Sequence, residues 1–296
     1  MTQSRAWRCG LRAMVLACAL LATAAHPAGP VIYEKASAYG TVVITDEGEG
    51  LRALRFGRDG VRQSLVKPGD AEYLGLAYLP AALAGLALCS EPQRFLVVGL
   101  GGGTLPTFLR HHYPASEIDA VDINPVVAAA AKSHLGFHED ARMRIHITDG
   151  RRFVESVKRP YDVIFLDAYG ADSVPAHLTT QEFLAAVRRA VHPQGVVVSN
   201  LWSVAIDPPY ESMVRTYRDS FDELYVLRVG RTNNRILFAL PRPESLNRSE
   251  LAARARKLSA TKHFNFNPGQ LIERGLISAD NEAAGGKLLT DANIGK

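Results

Sequence analysis

Three aspartates in the middle of the chain each follow an apolar run that predicts a β-strand. They are Asp122 in AVDI, Asp149 in ITDG and Asp167 in IFLD. In an open α/β sheet, ligands bind beyond the carboxyl ends of the strands, so we expect these three carboxylates to line one cleft. There a carboxylate can accept a hydrogen bond from a ribose or an amine, or take a proton as a general base. The alternative is that each aspartate only caps the helix that follows it.

A glycine-rich turn precedes the aspartates and is expected to lie in the same cleft. The stretch FLVVGLGGGTLPTF places Gly99, Gly101, Gly102 and Gly103 between an apolar strand and a helix start. Free N–H groups at a helix start bind polar ligand groups, and glycines let a ligand approach the backbone. The dinucleotide fingerprint G-x-G-x-x-G is not met, because Thr104 occupies the third glycine position. A dehydrogenase is therefore disfavoured.

Alternating strands and helices must position these residues. Strands are predicted near 94–100, 117–122, 143–148, 161–167, 195–202, 222–228 and 233–240. Strands that alternate with helices are typical of a doubly wound parallel sheet with both faces covered. The last two strands are joined by the short turn GRTNN, so the last strand must run antiparallel. Short β-rich runs between 31 and 66 predict a small antiparallel sheet before this domain.

Size and composition indicate an ordinary globular chain. It has 296 residues, of which 47% are hydrophobic and 22% are charged, and its net charge is +4. No basic block with interleaved aromatic residues occurs, which argues against a nucleic-acid partner. The expected organisation is a leader at 1–25, a β-domain at 31–75, a Rossmann-like domain at 76–240 and a helical or loop extension at 241–296.

The N-terminal segment has the residue order of a secretory signal peptide. Arg5, Arg8 and Arg12 precede an apolar run, which is followed by small residues ending at Ala25. The apolar run is too short to span a bilayer comfortably. Export to the periplasm, or membrane anchoring through this segment, is therefore expected. A wrongly assigned start codon in a cytoplasmic protein is the alternative. Only Cys89 would remain after cleavage, in an apolar context typical of a core residue.

Motifs along most of the chain resemble the spermidine synthase (polyamine aminopropyltransferase) family, and most closely its branch that is often fused to membrane segments. The motifs are VVGLGGGT, VDINPVV, ITDGRRFV and YDVIFLDAYGAD. The turn at Asp59, Gly60 and Gln63 resembles one in the family's N-terminal β-domain. The resemblance covers roughly residues 32–293. It implies a Rossmann-like, methyltransferase-type sheet of seven strands and a homodimer.

The resemblance also implies an adenosyl-sulfonium co-substrate, either decarboxylated S-adenosylmethionine or S-adenosylmethionine, with no metal. The implied co-substrate-binding residues are Gln63, Gly99, Gly101, Gly102, Gly103, Thr104, Asp122, Ile123, Asp149 and Gly150. Ribose would lie on Asp122 and adenine near Asp149. An amine or polyamine acceptor would contact Tyr73, Tyr169 and Asp172. An aliphatic amine has a pKa of about 10, so Asp167 can hold the ammonium and take its proton as the amine attacks.

Three family carboxylates are missing from this chain. Thr104 replaces an aspartate, the family's Tyr-His-Glu segment corresponds to Tyr73-Leu74-Gly75, and its Asp-x-x-Asp motif becomes Asp167-Ala168-Tyr169-Gly170. The aspartate replaced by Thr104 would repel the carboxylate of ordinary S-adenosylmethionine. The leading hypothesis is an aminopropyltransferase. The alternatives are an S-adenosylmethionine-dependent methyltransferase and a non-catalytic polyamine- or nucleotide-binding protein.

Three further features have competing interpretations. Tyr169 could line the acceptor pocket or pack over the loop. Trp202 could cover the co-substrate, although core packing is favoured. His111 and His112 lie at a helix end, where a solvated terminus is favoured over a metal site.

Overall fold

The structure is a computed structural model that describes residues 29–170, 173–203 and 208–294. The leader predicted at 1–25 and the acceptor residue predicted at Asp172 lie outside these residues. Within the described ranges, no helix is both long enough and apolar enough to cross a membrane.

A small antiparallel sheet comes first, as the sequence predicts. Its strands, in spatial as well as chain order, are β1 (Val31–Ser37), β2 (Gly40–Gly48), β3 (Leu51–Phe56) and β4 (Arg62–Val66). Its buried face, which includes Val42, Ile44 and Leu54, packs on Val127 and Ala130 of the domain that follows. This packing brings β4 next to the glycine-rich turn.

The larger sheet carries the three aspartates. Its strands are β5 (Arg94–Val98), β6 (Glu117–Asp122), β7 (Met143–Ile147), β8 (Tyr161–Leu166), β9 (Val191–Trp202), β10 (Glu223–Arg228), β11 (Asn234–Leu240) and β12 (Leu276–Ile277). The spatial order is β12-β10-β11-β9-β8-β5-β6-β7. The strands from β9 to β7 are parallel, whereas β11 runs antiparallel to both β9 and β10. The predicted doubly wound sheet with a reversed last strand is confirmed.

The strand count differs from the prediction of seven. The short β12 pairs antiparallel with β10, with Ile277 opposite Val226 and Leu276 opposite Leu227. A strand of two residues has no alternating pattern to reveal it, and it lies in the segment predicted to be helical or loop-like. The C-terminal extension therefore contributes to the main sheet.

The order of the strands creates the crevice. The chain proceeds from β5 to β6 and β7 on one side, and then returns to β8 and β9 on the other side of β5. At such a reversal the loops that follow two neighbouring strands diverge, which leaves a crevice at their carboxyl ends. The glycine-rich turn follows β5 and Asp167 follows β8, so both lie at this point.

Helices cover the faces of the sheet. They are α1 (Tyr78–Leu83), α2 (Thr104–His112), α3 (Pro125–His134), α4 (Gly150–Ser156), α5 (Gln181–Ala190), α6 (Tyr210–Ser220), α7 (Arg248–Lys262), α8 (Pro268–Gly275) and α9 (Ala279–Glu282). Short 3-10 helices span Ala84–Leu88 and Ala176–Leu178. Buried Leu251, Ala252 and Ala255 on α7 join the core beneath the first of these.

The end of α2 differs from the solvated terminus that the sequence favoured. The His112 side chain is only 5% exposed, whereas that of His111 is 53% exposed. The His112 ring packs between Phe108, one turn earlier on α2, and Phe264, which follows α7. The C-terminal extension therefore covers this helix end, which local sequence could not reveal.

Candidate functional site

A cavity of about 490 Å³ lies at the carboxyl ends of the central strands. Ten of the residues that the sequence singled out line it: Gln63, Gly99, Gly101, Thr104, Asp122, Ile123, Asp149, Gly150, Asp167 and Tyr169. Trp202 lines it as well. A volume of this size is within the range of small-molecule sites in proteins.

Three of the predicted residues lie elsewhere. Gly102, Gly103 and Tyr73 line a separate cavity of about 140 Å³, to which Thr104 also contributes. The structure thus places only the first part of the glycine-rich turn in the main cavity. Tyr73 does not line the main cavity with Asp167, because it lies against the later glycines at the separate cavity.

The glycine-rich turn is held tightly between neighbouring backbone segments. Gly99 has a φ of +103°, and a Cβ placed on it would lie 2.2 Å from the carbonyl oxygen of Asp167. The Gly99 N–H donates to the carbonyl oxygen of Val121 at 2.8 Å. The Gly102 N–H donates to Oγ of Ser64 on β4, also at 2.8 Å. The small β-sheet therefore contributes directly to the position of the turn.

Asp122 joins the end of β6 to the glycine-rich turn. Its Oδ2 accepts from the Leu100 N–H at 3.1 Å, and its Oδ1 accepts from the Asn124 N–H at 2.8 Å. Burial raises the pKa of the carboxyl, while the Asn124, Leu100 and Gly101 N–H groups oppose the rise. These three groups use three of the roughly four acceptor positions of the carboxylate, which leaves capacity for a ligand hydroxyl.

Asp149 caps a helix and also lines the cavity. Its Oδ1 accepts from the Arg152 N–H at 3.0 Å, at the start of α4. Its Oδ2 lies 2.8 Å from Nε2 of His177. Burial acts to raise its pKa, but the hydrogen bonds from Arg152 and His177 outweigh this and lower it. Asp149 therefore caps a helix and still lines the cavity. Sequence reasoning missed His177.

Asp167 lies directly after β8 between two side chains that the sequence did not single out. Its Oδ2 accepts from the Tyr78 hydroxyl at 2.6 Å, and its Oδ1 accepts from Nδ2 of Asn200 at 2.9 Å. Desolvation raises the pKa of Asp167 to about 6, although both hydrogen bonds act to lower it. Burial and the neighbouring carboxylate raise the pKa of Tyr78 well above its usual value, so its hydroxyl stays protonated and donates.

A second layer of contacts positions Asn200 in turn. Its Oδ1 accepts from Nδ2 of Asn234 at 2.9 Å, and its backbone carbonyl accepts from the Tyr169 hydroxyl at 2.8 Å. The rings of Tyr169 and Trp202 lie 5.0 Å apart. The Asp167 carboxylate thus has Asn200 and Asn234 on one side, from β9 and β11. The aromatic rings of Tyr169 and Trp202 form a wall nearby. The polar Asn200 at the end of an apolar strand was the sequence signal that could have identified it.

Three buried polar atoms of cavity-lining residues have no hydrogen-bond partner among the described residues. They are Nε of Arg62, Nε2 of Gln63 and Oγ1 of Thr104. A buried polar atom without a partner is costly unless a ligand or water supplies one. These atoms therefore fit a polar ligand that lies between β4 and the start of α2.

Together, the parallel sheet, the glycine-rich turn and the acids at successive strand ends define a Rossmann-like transferase with a small-molecule cleft. Residues 79–223 match the family described as Spermine/spermidine synthase domain. A polyamine aminopropyltransferase of Vibrio vulnificus is 32% identical over 288 residues, which cover 93% of this chain and 93% of that protein. This chain belongs to the spermine/spermidine synthase family, which confirms the resemblance and the transferase class.

Solved structures agree with this assignment. Spermidine synthase from Thermotoga maritima superposes with a TM-score of 0.63 at 21% identity, over 86% of this chain and 87% of that one, and it shows the same fold. Human methyltransferase-like protein 13, solved in complex with SAH, has a TM-score of 0.58 at 33% identity, over 64% of this chain and 93% of that chain. The chain is thus similar to proteins of two transfer chemistries.

Proposed function

We propose that the protein transfers an aminopropyl group from decarboxylated S-adenosylmethionine to an amine or polyamine acceptor. The observation that carries the proposal is the Asp167 carboxylate, which faces the cavity between Tyr78 and Asn200 with a pKa of about 6. A general base works best when its pKa lies near the operating pH. An ordinary surface aspartate would be a much weaker base than this one.

The chemistry requires one proton acceptor and good alignment. The acceptor nitrogen attacks the carbon next to the sulfonium, a C–N bond forms, and the C–S bond breaks so that a neutral thioether leaves. The proton that the nitrogen carries passes to Asp167. Because the positive charge of the sulfonium disappears during the reaction, the cavity mainly has to hold the two reactants in line.

The described residues offer a place for each part of the co-substrate. Asp122 has free acceptor capacity for ribose hydroxyls, and Gly101 lines the same cavity. Asp149 and Ile123 flank the same side of the cavity, where an adenine would lie. Gln63 and Thr104 supply two of the unpartnered polar atoms described above.

The acceptor would lie against the aromatic wall. Tyr78, Tyr169 and Trp202 all line the cavity near Asp167. Their faces suit the methylene chain of an aliphatic amine, and an ammonium group is attracted to an aromatic face. A site for a diamine would use several fixed carboxylates to hold its two ammonium groups, whereas this wall is aromatic. It therefore favours an acceptor with one ammonium group, held by Asp167, and an otherwise apolar body.

Methyl transfer from S-adenosylmethionine is the second candidate, and Thr104 is the observation that favours it. Thr104 is the first residue of α2 and lines the cavity, with no carboxylate in its place. The N–H groups at a helix start favour a negative charge. The carboxylate of ordinary S-adenosylmethionine would therefore meet no repulsion there.

Product analysis with both donors distinguishes these functions. The purified protein is incubated with each sulfonium donor and a set of monoamines and polyamines, and the nucleoside products are separated by chromatography. Aminopropyl transfer releases methylthioadenosine, whereas methyl transfer releases S-adenosylhomocysteine. Release of only the second product would overturn the leading proposal. Tight donor binding without either product would indicate the non-catalytic binding protein.

Thr104→Asp is expected to shift donor preference toward the decarboxylated co-substrate. The new carboxylate would repel the carboxylate of S-adenosylmethionine by about 1 to 4 kcal/mol, depending on the effective dielectric. That corresponds to a change of roughly tenfold or more in the ratio of the two affinities. Calorimetric titration of both donors measures it, with Thr104→Asn as the neutral control. An unchanged ratio would mean that Thr104 does not face the amino-acid end of the donor.

Tyr78→Phe is expected to move the acidic limb of the pH–activity profile upward. The Tyr78 hydrogen bond lowers the pKa of Asp167, so its removal raises that pKa further above about 6. The base is then protonated over a wider pH range, and kcat/KM falls near neutral pH but recovers in alkaline buffer. Tyr210→Phe is the matched control, because its hydroxyl donates to Glu282 outside the cavity. A profile identical to wild type would contradict the role given to Tyr78.

Two expectations from the sequence remain predictions. One is that the protein forms a homodimer. The other is that it is exported or associates with a membrane through residues 1–25, which lie outside the described residues.

A further inference from the structure

Two histidines and a glutamate converge at the end of α2, away from the cavity described above. Nε2 of His112 lies 3.4 Å from Oε1 of Glu72, and Nε2 of His111 lies 3.9 Å from the same oxygen. One ligand atom from each of the three residues lies within 4.8 Å of the others. None of the three residues lines the main cavity.

The hydrogen bonding of His112 leaves a lone pair aimed at a carboxylate. Nδ1 of His112 lies 3.0 Å from the carbonyl oxygen of Lys262. A carbonyl oxygen only accepts, so Nδ1 carries the proton, and Nε2 of the neutral ring bears a lone pair.

The facing atoms of His112 and Glu72 are therefore two electron-pair donors. Nε2 of His112 is buried, and no residue in the described part of the chain forms a hydrogen bond with it. The His112 side chain is more than nine-tenths buried, whereas Glu72 and His111 reach solvent. A carboxylate oxygen and an imidazole lone pair repel each other at this distance unless a proton, a water or a metal ion lies between them.

We propose that Glu72, His111 and His112 bind a zinc ion, with water as the fourth ligand. Zinc–nitrogen and zinc–oxygen bonds of about 2.0 to 2.2 Å place tetrahedral ligand atoms roughly 3.3 Å apart, close to the observed separation of Glu72 and His112. An Nδ1–H donor to a backbone carbonyl is also the arrangement that orients metal-binding histidines. The exposed His111 ring has room to turn toward the ion.

The ion would act as a structural clamp. Glu72 belongs to the segment between β4 and α1, and its backbone carbonyl accepts from Nδ2 of Asn265 at 3.4 Å. His112 connects to Lys262 at the end of α7. Zinc would therefore fasten the connecting segment to α2 and to the C-terminal extension. That segment leads directly into α1, which begins at Tyr78.

Metal titration of the full-length, tag-free protein after chelator treatment tests the site. We expect one equivalent of Zn²⁺ by calorimetry, a rise in melting temperature on binding, and the intense visible bands of tetrahedral cobalt when Co²⁺ is used instead. Glu72→Gln and His111→Ala should each weaken Zn²⁺ binding by about tenfold or more. His138→Ala, an exposed histidine after α3, should leave the affinity unchanged.

The variants also separate zinc binding from a simple ion pair. In Glu72→Gln the amide N–H can donate to Nε2 of His112, so the metal-free variant should be at least as stable as the metal-free wild type. A protonated His112 paired with Glu72 would instead make that variant less stable. That loss of stability, the absence of Zn²⁺ binding, or binding that neither substitution weakens would each overturn the proposal.

Discussion

Asp167→Asn is expected to lower kcat by roughly 10²- to 10⁴-fold while co-substrate affinity stays close to that of wild type. Asparagine has the same shape, and its Oδ1 can still accept from Asn200 while its Nδ2 donates to the Tyr78 oxygen. The substitution therefore removes the proton acceptor and keeps the network around it. Turnover at saturating substrate and calorimetric binding of the co-substrate provide the two measurements.

A control on the same strand makes this result specific. Asp162 lies near the other end of β8, where its Oδ2 accepts from the Gln93 and Arg94 N–H groups at 2.8 and 2.9 Å. It does not line the cavity. Asp162→Asn should therefore retain turnover at a temperature where it is fully folded. Wild-type turnover in Asp167→Asn would exclude this residue as the base.

Gly99→Ala is expected to lower the free energy of unfolding by about 2 to 6 kcal/mol, because two separate penalties act at this position. Its φ of +103° is strained for any residue with a Cβ, and that Cβ would lie 2.2 Å from the oxygen and 2.7 Å from the carbon of the Asp167 carbonyl. These neighbours are backbone atoms and cannot rotate away. Urea denaturation measures the loss, and activity should fall because Asp167 must move.

Gly40→Ala separates the two penalties. Gly40 is the first residue of β2, directly after the turn from β1, with a φ of +108°, and nothing lies within 4 Å of a Cβ placed there. Its substitution should therefore cost only the backbone strain, about 1 to 3 kcal/mol. Equal losses in the two variants would show that the close approach of Gly99 to Asp167 contributes nothing to stability.

Local patterns were sufficient for the main elements of the fold. The central strands are short apolar or alternating runs bounded by polar or turn residues, and such patterns depend only on neighbouring residues. The antiparallel direction of β11 also followed from the sequence, since the short turn GRTNN cannot connect parallel strands. By contrast, β12 has only two residues, and its pairing with β10 is a long-range contact with no local signature.

The sequence by itself determined that Asp122, Asp149 and Asp167 lie at or just after the ends of successive strands, because each follows a short local pattern that forms a strand. Only the tertiary structure decided which side chains meet Asp167. Tyr78 lies 89 residues away along the chain and Asn200 lies 33 residues away, and no spacing rule relates them to the aspartate. The end of α2 is similar, since Phe264 and the Lys262 carbonyl cover His112 from about 150 residues away. Desolvation and hydrogen bonding depend on all the atoms that surround a group. The raised pKa of Asp167 and the burial of His112 therefore arise only when distant segments pack together.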